Sequence, residues 1–127
     1  MKLFRKRKSG FARTKQIPHK RHPATYNRLD NDEIEYITFT HHNPAKLDGK
    51  EIETIELDDN IEISKRKSGE KSFAFPKVYI GKRSALGKED NKLNLSENDK
   101  IKVKNLFETL PRERIVYTSN SNKQKRK

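Results

Sequence analysis

Short stretches in which apolar and polar residues alternate occur along much of the chain and predict β-strands. Residues 24–29 and 34–40 flank a polar turn, and the second stretch is rich in β-branched and aromatic residues, so the pair predicts a β-hairpin. Asp48-Gly49 tolerates the positive φ angles of a tight turn and predicts a strand over residues 50–57. Ile61 and Ile63 continue the alternation, and a basic turn around Ser68-Gly69 is expected at residues 64–71.

The second half of the chain predicts further strands and one helix. Phe73 and Phe75 occupy alternate positions, as do Val78 and Ile80, but Pro76 between the two pairs removes a backbone donor and predicts an edge strand or a bend. Residues 81–91 are expected to form a loop.

The helix is predicted over residues 97–110. Ser96 is a favourable N-cap, the first turn is acidic, and apolar residues then follow with helical spacing until Pro111. Residues 112–118 are expected to return as a strand. The fold class is therefore mainly β, a β-rich α+β domain, with a small barrel or a curved antiparallel sheet and one helix in its C-terminal half.

Composition limits this domain and its surroundings. The 127 residues, of which 30% are hydrophobic and 38% charged, favour one small core. We expect a basic N-terminal arm over 1–22, a single domain over 23–118 and a basic tail over 119–127, with both ends disordered unless a partner orders them. The sequence contains no long apolar run and no apolar stretch after its basic start, so neither a membrane helix nor a secretory signal is expected. The absence of cysteine fits a reducing cytoplasm.

The net charge of +12 is distributed unevenly. Residues 1–29 hold 10 Lys and Arg and no acid, residues 30–62 hold 2 against 11 acids, and residues 63–127 hold 18 against 7. A basic–acidic–basic pattern of this kind indicates a polyanionic partner for the two ends.

The segment 71–80 combines aromatic and basic residues in a way that suits single-stranded nucleic acid. On one continuous strand Lys71, Phe73, Phe75, Lys77 and Tyr79 would share a face, where rings stack on bases and lysines meet phosphates. The segment resembles the aromatic octamer of RNA-recognition motif and cold-shock domains, with matches at Lys71, at Ala74 and at both phenylalanines. The alternative interpretation is that Phe73 and Phe75 are core residues of an edge strand.

The predicted nucleic-acid-binding residues extend beyond this strand into the N-terminal arm and the following loop. They are Arg5, Lys6, Arg7, Lys8, Arg13, Lys15, Lys71, Phe73, Phe75, Lys77, Tyr79, Lys82 and Arg83.

A second resemblance implies catalysis. Arg21-His22-Pro23, followed by a hairpin whose second strand ends at Thr40, resembles the start of the small barrel of PemK/MazF-type ribonucleases, although His22 separates the arginine from the proline. The resemblance implies that Arg21 and Thr40 serve RNA cleavage. Arg21 would stabilise the charge of the transition state. His41, next to Thr40, could act as an acid or base near neutral pH. The alternative is that Arg21 belongs to the arm and Thr40 ends an ordinary strand.

Other constellations predict no cofactor and no metal. His19 and His22 are three apart, whereas His41 and His42 are adjacent and would point oppositely on a strand. The segment 81–88 lacks the glycine spacing of a phosphate-binding loop, and the acids of 51–59 lack the spacing of a calcium loop.

Three functions remain open at this level. The first is a small, non-catalytic nucleic-acid-binding protein that prefers RNA or single-stranded DNA. The second is a PemK/MazF-like endoribonuclease, and the third is a structural component of a ribonucleoprotein or mobile-element assembly. The sequence does not decide the oligomeric state.

Overall fold

A computed structural model describes residues 8–15, 21–47 and 49–115 and has one α-helix, α1 (Glu97–Thr109), in these ranges. The strands are β1 (Ser9–Thr14), β2 (Pro23–Arg28), β3 (Glu33–Thr40), β4 (Ala45–Leu47), β5 (Lys50–Ile52), β6 (Ile55–Glu56), β7 (Phe73–Ala74), β8 (Val78–Lys82), β9 (Leu86–Glu89) and β10 (Arg112–Arg114). The fold is therefore mainly β with one helix in the C-terminal half, as predicted.

The main sheet has the strand order β10-β8-β3-β2-β1-β9, and β7 pairs with both the end of β3 and β6. Neighbouring strands are antiparallel except for β10 and β8, which run parallel, and β4 and β5 form a separate hairpin. Within the described ranges the strands do not close into a barrel, so the curved sheet is the one of the two predicted architectures that is observed.

The predicted hairpin is confirmed. β2 and β3 pair with Tyr26 opposite Tyr36, and Asn31 and Asp32 turn the chain with φ angles of 60°. Asparagine and aspartate tolerate this left-handed conformation better than most residues because their side chains can bond locally.

The N-terminal arm predicted over 1–22 is wrong for residues 9–14. This segment forms β1, which pairs with β2 from Ser9 to Arg13 and also with β9. The strand has few large apolar residues, but two neighbouring strands satisfy its backbone groups. Residues 1–7 and the predicted tail 119–127 lie outside the described residues.

Four other expectations also need correction. The predicted loop 81–91 instead contains the end of β8, a 3-10 turn at Arg83–Ala85 and β9. The predicted strand 50–57 is divided into β5 and β6, and the alternation of Ile61 and Ile63 leads into a 3-10 helix at Ile63–Ser68 that Gly69 ends at φ 83°. The strand predicted over 112–118 is observed at Arg112–Arg114, while residues 116–118 lie outside the described part of the chain.

Helix α1 confirms the predicted helix and packs on one face of the sheet. The Ser96 side chain accepts a hydrogen bond from the Asp99 amide, as an N-cap does. Val103 and Phe107 are buried in a core with Ile37 and Phe39 of β3. The opposite face of the sheet carries a second core whose largest members are Tyr26, Tyr36 and Tyr79.

Candidate nucleic-acid interface

An open cleft of about 600 Å³ lies where β1, β9 and the segment before β2 meet. Its charged lining consists of four basic residues, Arg13, Lys15, Arg21 and Lys88, and two acidic ones, Glu89 and Asp90. We call these six residues and their cavity the basic cleft. β1 and β9 are antiparallel neighbours, and the His22 amide donates to Thr14 Oγ1 at 2.8 Å, which holds the segment before β2 against the end of β1.

The two carboxylates of the basic cleft are engaged by the protein's own donors. Asp90 Oδ2 lies 3.3 Å from Arg13 Nε. Glu89 accepts hydrogen bonds from the Tyr26 hydroxyl and from the Phe11 amide. The acids therefore hold the fold together at this edge and reduce the positive potential of the cleft less than free carboxylates would.

Three cations of the basic cleft are left for an external anion. Lys15, Arg21 and Lys88 are exposed, and their side chains make no hydrogen bond or ion pair with the described residues. Surface cations without internal partners can exchange their counterions for phosphate, which is the main source of affinity for nucleic acid.

Arg13 links the basic cleft to a second group of charges around Glu62. Arg13 Nη2 donates to Glu62 Oε1 at 2.9 Å, while Lys65 Nζ and His41 Nε2 lie 3.4 and 3.5 Å from Glu62 Oε2. We call Arg13, His41, Glu62 and Lys65 the Glu62 cluster. Burial alone would raise the pKa of Glu62, but the hydrogen bond and charge of Arg13, together with Lys65, outweigh it and hold the pKa below its ordinary value.

Buried Asn60 fixes the backbone beneath the Glu62 cluster. Its side-chain oxygen accepts from the Glu62 amide at 2.9 Å, and Arg66 Nε donates to its carbonyl at 2.8 Å. Asn60 Nδ2 faces His41 Nδ1 at 3.5 Å. Because an amide nitrogen only donates, this contact favours the tautomer in which His41 carries its proton on Nε2, toward Glu62.

The structure divides the predicted nucleic-acid-binding residues between several places. Arg13 and Lys15 line the basic cleft, and Lys8 is exposed just before β1. Arg5, Lys6 and Arg7 lie outside the described residues.

The single aromatic face predicted for residues 71–79 is not formed. Pro76 lies in a break between β7 and β8, and these strands pair with different ends of β3. Phe75 and Tyr79 are both 2% exposed, whereas Phe73 is half-buried. Phe75 and Tyr79 are therefore core residues, in agreement with the alternative interpretation for the phenylalanine, and they present no ring to solvent.

Most of the predicted cations on and after this segment have partners within the protein. Lys71 Nζ lies 2.8 Å from a Glu56 oxygen, and Lys77 Nζ lies 2.6 Å from a Glu113 oxygen. Arg83 Nη1 donates to the carbonyl of Gly87 at 2.8 Å, and its guanidinium lies 4.7 Å from the centre of the Tyr26 ring. Lys82 is exposed at the end of β8. None of these residues lines the basic cleft.

The residues of the ribonuclease interpretation lie at one end of the β2–β3 hairpin. Thr40 ends β3 and His41 follows it, while Arg21 lies two residues before β2, at the same end of the hairpin. Arg21 is exposed in the basic cleft, Thr40 is 7% exposed, and His41 belongs to the Glu62 cluster.

Sequence reasoning did not single out Glu62, Asn60 or Asp90. Each resembles an ordinary polar residue in a charged sequence, and its importance comes from a contact with a residue at least 19 positions away. Lys88 was distinguishable only as one of several cations in an expected loop.

No protein-family model, curated protein or solved structure matches this chain. Among the described residues, no three His, Asp or Glu side chains are grouped so that they could hold a metal ion. The helix in the described ranges lacks the length and apolar composition needed to cross a membrane.

Proposed function

We propose that this protein binds single-stranded nucleic acid, RNA above all, and that the basic cleft is its binding surface. The observation that carries the proposal is the group of three exposed cations, Lys15, Arg21 and Lys88, without described partners around one cavity. The neighbouring acids are already engaged by Arg13, Tyr26 and a backbone amide. A phosphate chain therefore meets cations that have no partner among the described residues, rather than free carboxylates.

The dimensions of the basic cleft favour a single strand over a duplex. Its volume of about 600 Å³ lies in the range of cavities that hold a small molecule, so it accommodates one or two nucleotides. The cleft is built from strands and an extended segment, whereas the major groove of a duplex is usually entered by a projecting helix or β-ribbon.

The test is the salt dependence of binding. Fluorescence anisotropy with labelled single-stranded RNA, single-stranded DNA and duplex DNA is measured between about 50 and 200 mM salt. The variant Lys15→Gln/Arg21→Gln/Lys88→Gln should lower the slope of log affinity against log salt by about 2, at roughly 0.7 per phosphate contact on a single strand.

A charge-matched control separates the basic cleft from the general positive charge. Lys46, Lys50 and Lys67 are exposed elsewhere, and replacing all three with glutamine removes the same charge. The control should keep the wild-type slope. Equal slopes for the cleft variant and the wild type, or equal losses in the two variants, would disprove the assignment to the cleft.

A second candidate, an endoribonuclease, is favoured by the proximity of the basic cleft and the Glu62 cluster. Arg13 belongs to both, and His41 contacts the carboxylate that Arg13 binds. In such a reaction the 2′-oxygen attacks the adjacent phosphorus and the P–O5′ bond breaks as the P–O2′ bond forms. His41 accepts the 2′ proton on Nδ1, the nitrogen that faces Asn60 Nδ2 at 3.5 Å, so this contact has to open during the reaction. The departing 5′-oxygen takes a proton from solvent, and Arg21 stabilises the developing negative charge.

The resemblance to PemK/MazF-type ribonucleases supports this second candidate through Arg21 and Thr40. Labelled RNA should then be cleaved by the purified protein, and Arg21→Ala, His41→Ala and Thr40→Val should each abolish cleavage while leaving the fold intact by circular dichroism. Thr40→Val retains the volume of a buried side chain. RNA that stays intact after long incubation with wild-type protein would eliminate the ribonuclease and leave the binding function standing.

A further inference from the structure

Two more cavities continue the basic cleft along β1. Glu89 and Asp90 line both the basic cleft and a second cavity of about 540 Å³. Phe11 and Asn94 line both this second cavity and a third one of about 760 Å³, which lies between the sheet and α1. Shared lining residues make the three cavities neighbours, in the order Arg13, Phe11 and Ser9 along β1. We call this continuous depression the trough.

We propose that the trough is the path of a single nucleic-acid strand and that its third cavity holds a base. This inference rests on the proposed nucleic-acid-binding function and extends it to a specificity site. The strand would enter at the basic cleft, pass Phe11 and end beside α1.

The third cavity combines an apolar floor with a few polar groups. Phe11, Val103 and Phe107 supply apolar surface, and Asn27 and Glu35 supply amide and carboxylate groups. Asn27 Nδ2 donates to Glu35 Oε2 at 3.1 Å, and Arg112 also binds Glu35, so both polar side chains are oriented before a ligand arrives. A flat apolar ring with hydrogen-bonding edges, such as a nucleobase, matches this chemistry, and amide and carboxylate groups are common readers of base edges.

Phe11 lies where the second and third cavities meet. It is half-buried and packs against the main core, so its position is fixed, yet it lines both cavities. An aromatic ring held in this way provides a stacking surface for a base without regard to sequence.

Cations are available at both ends of the trough. Lys15, Arg21 and Lys88 occupy one end, and Lys104 of α1, exposed and without a described side-chain partner, lies at the other. Glu35 is neutralised by Arg112, whereas Glu108 on the rim has no described partner and lies one helical turn from Lys104. The acids that line the central part, Glu89 and Asp90, are engaged internally.

The length of the trough sets the length of the strand. From Ser9 to Lys15 the chain advances six residues, or roughly 20 Å at about 3.3 Å per residue. A strand of stacked nucleotides rises about 3.4 Å per nucleotide, so the trough corresponds to about six stacked nucleotides, or fewer in an extended strand. We therefore expect affinity to rise with oligonucleotide length up to about six nucleotides.

The experiment compares single-stranded RNA oligonucleotides of about three, six and nine nucleotides by anisotropy on the full chain. The variant Lys104→Gln should weaken the six-nucleotide RNA about threefold and lower its salt slope by about 0.7, because one phosphate contact is lost. It should leave the three-nucleotide RNA, held in the basic cleft, unchanged. Lys67→Gln is the control with the same change in charge.

A second measurement locates the base. The side-chain amide of Asn27 gives its own pair of NMR signals, and these should shift when the six-nucleotide RNA is added but not with the three-nucleotide RNA. Phe11→Leu should weaken only the longer oligonucleotides while retaining the packing of the core.

The outcomes separate this inference from the proposed function. The trough is refuted, while the basic cleft stands, if RNA of all lengths binds with equal affinity, Lys104→Gln leaves that affinity unchanged and the Asn27 NMR signals do not shift. If replacing Lys15, Arg21 and Lys88 changes the affinity for none of the oligonucleotides, both proposals fail. Displacement of the Asn27 signals by an extended peptide, but not by RNA, would overturn the assignment in favour of a protein ligand.

Discussion

Replacing Asp99 tests how α1, one wall of the trough, is held against the rest of the domain. Asp99 is 1% exposed, and its two carboxylate oxygens accept hydrogen bonds from the amides of Asp58 and Asp59 at 2.8 and 3.0 Å. The side chain of Asp99 thus connects the start of α1 to residues 58–59, which lie about 40 positions earlier in the chain.

The magnitude follows from these two bonds. Each hydrogen bond to a charged group contributes about 1.5–3 kcal/mol, and Asp99→Ala also leaves two amides without a protein partner. The loss of a negative charge at the helix N-terminus adds about 0.3–1 kcal/mol. Asp58 is exposed, so water can bond its amide and restore part of the lost hydrogen-bond energy. We therefore expect a loss of about 3–5 kcal/mol in the free energy of unfolding.

Urea denaturation followed by circular dichroism measures this loss as a lower midpoint with an unchanged slope. Asp99→Asn keeps one acceptor oxygen but turns an amide group toward a backbone donor, so it should lose about half as much. Glu97→Ala is the control, because Glu97 lies in the same turn but is exposed and, among the described residues, pairs only with Lys100. It loses the same favourable charge at the helix N-terminus and one surface ion pair, so it should cost about 0.5–1.5 kcal/mol. A change of less than about 1 kcal/mol for Asp99→Ala would refute the reasoning.

Three further predictions follow from contacts near the trough. The pKa of Glu62 is held below its ordinary value of 4.5, so its ion pairs stabilise the fold above that pH and are lost as pH falls through the lowered value. Denaturation at a series of pH values should therefore show a stability difference between wild type and Glu62→Gln that shrinks on acidification. A Cβ at Gly10 would overlap the Glu89 carboxylate, so Gly10→Ala should lower the melting temperature, and much less so in a Glu89→Ala background. Burial and then the Glu89 hydrogen bond and charge raise the pKa of Tyr26, so Glu89→Gln should lower it in an ultraviolet titration.

The elements that could be predicted from the sequence are those defined by local pattern. The β2–β3 hairpin follows from alternation around a turn that tolerates positive φ, and α1 follows from its Ser96 cap and helical spacing. In both cases the information lies within about fifteen consecutive residues, because neighbouring side chains select the backbone conformation.

The missed strands depend on partners far along the chain. β1 contains one large apolar residue, Phe11, and β9 contains Leu86, so neither shows the pattern of a half-buried strand. β1 pairs with β2 on one side and with β9 on the other, and these pairings satisfy backbone groups of β1 and β9 and make them strands. The same pairing places Lys88 and Lys15 around one cavity and so creates the basic cleft.

The sequence by itself determined that the chain is basic and mainly β, and that Arg13, Lys15 and Arg21 lie near its start. Only the tertiary structure decided which cations are available, since Lys71 and Lys77 are paired with Glu56 and Glu113. A net charge is a sum over residues, whereas a binding surface depends on which charges remain unpaired after folding. That distinction is set by contacts between distant residues, which local sequence patterns do not contain.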